Sequence, residues 1–113
     1  MAVTFVYNPI DVMVKAAQNL YPYINADVQF NPTIKSPGVT TFQKGDKPAL
    51  VDINAEIPFD SAIEALGDAL AHVATRTTSK KDPKWKEASE KILEEFSRLV
   101  DIRIEKYQQE KSV

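Results

Sequence analysis

One stretch of the chain could place chemically useful side chains on a single helical face. It reads Ala65-Leu66-Gly67-Asp68-Ala69-Leu70-Ala71-His72-Val73-Ala74. Asp68 and His72 stand four residues apart, so a helix points a carboxylate and an imidazole at one spot. Both groups are accepted zinc ligands. Asp82 or Glu87 would be the source of a third ligand. The competing reading is structural: His72 is a half-buried helix residue whose ring is held by Asp68. This second reading is favoured, because Asp-x-x-x-His spacing is common in ordinary helices.

Other chemistries find less support. His72 is the only histidine and cysteine is absent, which excludes disulfides, thiolate metal sites and a cysteine nucleophile. Three glycines are too few for a phosphate cradle or a dinucleotide fingerprint. Ser61, Ser89 and Ser97 lack the G-x-S-x-G setting of a nucleophile elbow. Asp52 and Glu56 lie at alternate positions of a strand, so they read as solvent-facing acids rather than a glycosidase pair.

The elements around these residues emerge from hydrophobic spacing and breakers. Asn8-Pro9-Ile10-Asp11 opens a first helix, with Asn8 as cap and Pro9 at the first helical position. Ile10, Met13, Val14, Ala17 and Tyr21 form its inner face, and Pro22 ends it. Three extended segments come next, 27–31, 39–43 and 49–57, with a Ser36-Pro37-Gly38 turn between the first two. The last two are expected to pair as a hairpin. In the third, Ala49, Val51, Ile53 and Ala55 point inward, while Asp52, Asn54 and Glu56 form a wet face. A second helix starts after Pro58, capped by Asp60 or Ser61, and fades at Thr75 to Thr78. Its stripe is Ile63, Leu66, Leu70 and Val73. Pro83 opens a long third helix with Trp85, Ala88, Ile92, Phe96, Leu99 and Tyr107 inside and a charged outer face. The expected fold class is α+β: an N-terminal helix, a small antiparallel sheet of three to four strands, then two C-terminal helices in one domain spanning 1–113.

A strand, a proline and a capped helix bearing Asp68-Ala69-Leu70-Ala71-His72-Val73 resemble the active-site region of small zincin-type (HExxH) metallopeptidases found in phages and prophages. The resemblance covers most of the chain and implies a minimal zincin-like fold. His72 and Val73 match the second histidine of the motif and its following residue. Asp68 stands at the first histidine and Ala69 at the catalytic glutamate. The third ligand of that family often lies before a helix bearing an aromatic residue, and here Lys80-Lys81-Asp82-Pro83-Lys84-Trp85 has no histidine. Ala69 cannot take a proton, and losing a general base commonly costs ~10²–10⁴ in rate. No peptidase activity and no cofactor are expected, with zinc on Asp68, His72 and Asp82 kept as the alternative.

The bulk composition narrows the class. The 113 residues carry a net charge of −2, with acids and bases interspersed, so no basic field for nucleic acid is present. The densest basic run, 79–84, reads as a solvated loop. The start of the chain has no positive n-region, and no apolar run approaches the ~20 residues of a membrane helix. The expected location is the cytoplasm.

The leading expectation is a catalytically inactive zincin-like protein, of phage or prophage type, that binds a protein partner. Zincins of this type hold a peptide against a sheet edge, and a surviving edge can still recognise an extended segment. The expected surface joins Asp52, Asn54 and Glu56 to the region of Asp68 and His72, with Tyr21, Tyr23 and Phe42 as candidate aromatic anchors. A residual metal-dependent hydrolase and an oligomerisation module built on the long helix are the alternatives.

Overall fold

A computed structural model describes residues 9–77, 79 and 81–111. Within them lie three helices and three strands: α1 (Pro9–Leu20), β1 (Ala26–Asn31), β2 (Gly38–Thr41), β3 (Ala49–Asn54), α2 (Phe59–Thr75) and α3 (Pro83–Lys111). The α+β order expected from the sequence is present. Pro9 occupies the first helical position of α1, where its missing N–H costs no hydrogen bond. The expected cap, Asn8, lies outside the described residues, as do Thr78 and Lys80 of the polar loop and the side chain of Tyr107.

The sheet departs from the fully antiparallel expectation. Its order is β1-β3-β2, with β3 in the centre. β2 pairs antiparallel with β3, as a hairpin requires, but β1 pairs parallel with β3. Alternation along a strand reports which face is buried and is blind to the direction of the neighbour. The 32–37 connection therefore passes the end of β3 and sets β2 on its far side. Asn54 holds that connection through its Nδ2, which donates to the carbonyls of Ile34 (3.1 Å) and Ser36 (3.4 Å). Asn31 tightens its start by accepting from the Thr33 N–H at 2.9 Å.

All three helices pack on one face of the sheet or on each other, giving two layers. Val51 and Ile53 are fully buried under α2, and Leu66, Leu70, Met13 and Ile92 complete the centre of the core. Each of these large side chains contributes about 1.5–3 kcal/mol by leaving water. Gly67 lets α2 and α3 approach closely: a Cβ there would stand 2.9 Å from Cδ2 of Leu93. β3 ends at Asn54, and Ala55 is exposed rather than inward.

α2 starts two to three residues earlier than its side chains suggest. Pro58 is the N-cap residue, no side chain caps the helix, and the Ala62 N–H donates to the Pro58 carbonyl at 3.0 Å. The φ of −55° and ψ of 148° at Pro58 set the entry, which leaves Asp60 in the first turn against the positive helix end. No helix among the described residues is long and apolar enough to cross a membrane.

Candidate functional site

β2 is an edge strand, and α2 runs beside it. Between them lies an open cleft of about 520 Å³. One wall is residues 36–40, and the other is Ser61, Glu64, Ala65, Asp68, Ala69 and His72 of α2. Asp68, Ala69 and His72 thus line one cleft together with a sheet edge.

The backbone of that edge is partly unused. Val39 lies opposite Asp52 and Thr41 opposite Leu50, while the Asn54 N–H donates to the Pro37 carbonyl at 2.9 Å. Residues 37, 39 and 41 are therefore the hydrogen-bonded positions of the ladder. By antiparallel alternation, the N–H and C=O of Gly38 and Thr40 point away from β3. The Gly38 carbonyl accepts from Ser36 Oγ at 3.2 Å. On the side-chain axis, Gly38 faces α2: a Cβ there would lie 3.5 Å from Cβ of Ala65.

Asp68 and His72 are each anchored by residues later in the chain. The Asp68 carboxylate accepts from Ser89 Oγ at 2.6 Å, and the Asp68 backbone carbonyl accepts from Trp85 Nε1 at 3.1 Å. His72 is only 8% exposed, and its ring stacks on Trp85, with centroids 4.9 Å apart and planes 17° from parallel. Its Nδ1 lies 2.7 Å from the Thr77 carbonyl, so Nδ1 carries the proton. The sequence points to Asp68 as the support for this ring; the structure gives both side chains these further partners, drawn from α3 and the α2 terminus. The start of α3 and the end of α2 are joined at this pair.

The remaining candidates lie elsewhere. Asp82 starts α3: its Oδ1 accepts from the Lys84 N–H at 2.9 Å. Glu87 forms an exposed ion pair with Lys91 at 2.8 Å, and the Lys91 ammonium lowers its carboxyl below the usual range. Among the described residues, no group of three His, Cys, Asp or Glu side chains could hold a metal ion. The Asp68, His72 and Asp82 set does not converge.

Asp52 and Asn54 sit on the sheet face turned away from α2, and Glu56 is exposed in the turn after β3. Asp52 accepts from Gln29 Nε2, and Asn54 Oδ1 accepts from the Glu56 N–H at 2.8 Å. The expected surface joining these three to Asp68 and His72 is therefore split by the sheet itself. Tyr21 packs edge-on against Tyr23, whose hydroxyl donates to the Ala74 carbonyl at 2.6 Å. Tyr23 and Phe42 border a second, smaller hollow of about 300 Å³, away from the first.

Gly38, Thr40 and Glu64 line the cleft without being marked as site residues by the sequence. There, Gly38 reads only as a turn and Thr40 only as strand. The signal available for Glu64 is its spacing, one helical turn before Asp68. No family model, curated protein or solved structure matches this chain.

Proposed function

We propose that the chain is a non-catalytic binding module that takes up an extended peptide segment of a protein partner in the cleft between β2 and α2. The observation that carries the reading is the coincidence of an open strand edge, at Gly38 and Thr40, with a cleft along the helix next to it. Main-chain hydrogen bonds to such an edge give affinity, and alternate side-chain positions give selectivity. The resemblance to degenerate zincins agrees with this use, since that scaffold presents a peptide between a strand edge and the motif helix. Ala69 at the general-base position supports a role without hydrolysis.

Panning a random decapeptide display library on the purified protein tests the reading. Selected peptides should shift the amide resonances of Gly38 and Thr40 and slow the hydrogen exchange of those amides. Thr40→Pro should abolish binding while the protein stays folded, because the Thr40 N–H is not used in the β2–β3 ladder. Peptides that bind Thr40→Pro as well as the parent would overturn the reading.

A further inference from the structure

The cleft has a charge pattern that specifies what an incoming strand must carry. Glu64 and Asp68 both line it, one turn apart on α2, and no Lys or Arg is among the described residues that do so. Asp68 Oδ1 accepts from Ser89, and no other hydrogen bond to its carboxylate is made among the described residues. The α2 wall extends from Ser61 to His72, about 17 Å at the helical rise, so the cleft runs along the helix for three turns.

The spacings of the two elements match. Residues i and i+4 of a helix are separated by about 6 Å along the axis. Residues i and i+2 of a strand are separated by about 6.6 Å and point to the same face. A strand added at Gly38 and Thr40 places the residues opposite those two positions on the α2 side, because directly opposed residues share a face. Two side chains at alternate positions of the ligand would then stand over Glu64 and Asp68, while the residue between them turns to the other sheet face beside Val39.

Resting on the reading of the cleft as a peptide-binding edge, we infer that the ligand is an extended segment with two basic side chains at alternate positions, Lys/Arg-x-Lys/Arg. Long cationic side chains fit this arrangement. Their stems lie along the small Ala65 and Ala69 side chains, and their heads reach the two carboxylates. Adjacent basic residues do not fit, because one of the pair faces away from α2.

The test is fluorescence anisotropy with four labelled decapeptides of otherwise identical threonine- and valine-rich sequence. One has lysine at two alternate positions, one has two adjacent lysines, one has glutamine at the alternate positions and one has glutamate there. The alternate-lysine peptide should bind about five- to tenfold tighter than the glutamine peptide, as expected for two partly exposed ion pairs, and about two- to threefold tighter than the adjacent-lysine peptide, which keeps one of them. That advantage should shrink in about 0.5 M salt. Glu64→Gln and Asp68→Asn should each remove part of the advantage; Glu64 is exposed, and asparagine still accepts from Ser89, so both variants keep the fold. Equal binding of the glutamine and alternate-lysine peptides, abolished by Thr40→Pro, would overturn the basic motif and leave the strand-addition reading standing. Failure of all four peptides to bind would overturn both.

Discussion

Thr77 is bound to His72 from both sides of its own residue: its N–H donates to the His72 carbonyl at 3.3 Å, and its carbonyl accepts from the His72 ring Nδ1 at 2.7 Å. One residue thus satisfies a backbone acceptor at the end of α2 and fixes the exit of the chain. The same ring stacks on Trp85 of α3. His72 therefore joins the last turn of α2, the loop after it and the first turn of α3. That structural task gives the buried histidine a packing and hydrogen-bonding role at this corner of the fold.

Replacing His72 separates the two parts of this task. His72→Ala removes both the stack and the donor and should destabilise the protein by about 2–3 kcal/mol. His72→Phe keeps the stack but leaves the Thr77 carbonyl without its ring donor, and should cost about 1–2 kcal/mol. Urea denaturation monitored by circular dichroism measures both values. Two variants as stable as the parent would show that the ring does not hold this corner.

Arg76 is the residue that ends α2, and it does so in the left-handed region, with φ 54° and ψ 36°. Its N–H donates to the His72 carbonyl, as a helix C-terminal cap requires. A non-glycine residue loses about 1–2 kcal/mol in that conformation. Arg76→Gly should therefore raise stability by about 0.5–1 kcal/mol, after allowance for the extra freedom glycine gives the unfolded chain. Thermal unfolding should shift upward by about 2–5 °C.

Glu95 links two helices that the sequence gives no reason to join there. It accepts from Arg98 on its own helix at 2.6 and 2.9 Å and from Asn19 of α1 at 3.1 Å. The Arg98 hydrogen bonds, then the Asn19 bond, lower its carboxyl to about 2. A carboxyl held below its unfolded value stabilises the fold fully above the unfolded value, near 4.5, and loses that contribution as pH falls toward 2. The Arg98 side chain is 57% exposed, so solvent screens the pair and its contribution stays below about 1 kcal/mol. Glu95→Gln should lower stability at pH 7 by that amount and converge with the parent near pH 2. A difference that persists unchanged at pH 2 would point to packing instead of charge.

Legible in the chain is whatever depends on local spacing. The alternation of Ala49, Val51 and Ile53 marks the buried face of β3, and the apolar period of residues 62–74 marks α2. Asp68, Ala69 and His72 stand out by the same logic, because residues three and four apart share a helix face. Illegible are contacts set by which strand lies beside which. The parallel pairing of β1 leaves no mark in its alternation, and it makes β2 an edge, so Gly38 and Thr40 carry no sign of being a cleft wall. Spacing puts Trp85 on the inner face of α3, but its stack on His72 depends on how the loop at 76–82 turns. The wet face at Asp52 and Asn54 is real, yet it does not adjoin Asp68 and His72, because strand phase does not tell which face the next helix covers.

Asp82 offers a case where a helix cap and a metal ligand give opposite results. Its carboxylate accepts from the Lys84 N–H, two residues into α3, with Pro83 at the first helical position between them. This is the geometry of an N-cap, and replacing such a residue by alanine costs about 1 kcal/mol. If Asp82 also completed a zinc site with Asp68 and His72, the loss would be larger and would depend on metal. Asp82→Ala should therefore destabilise by about 1 kcal/mol, equally in buffer with EDTA and in buffer with an excess of zinc. A ligand bound only to the native state would otherwise add RT ln(1 + [L]/Kd) to the parent's stability. Parallel elemental analysis of the parent, purified without chelator, should find zinc well below one atom per chain. Near-stoichiometric zinc together with a zinc-dependent gap between parent and Asp82→Ala would show that the three residues converge in solution, and it would restore the metal-dependent alternative.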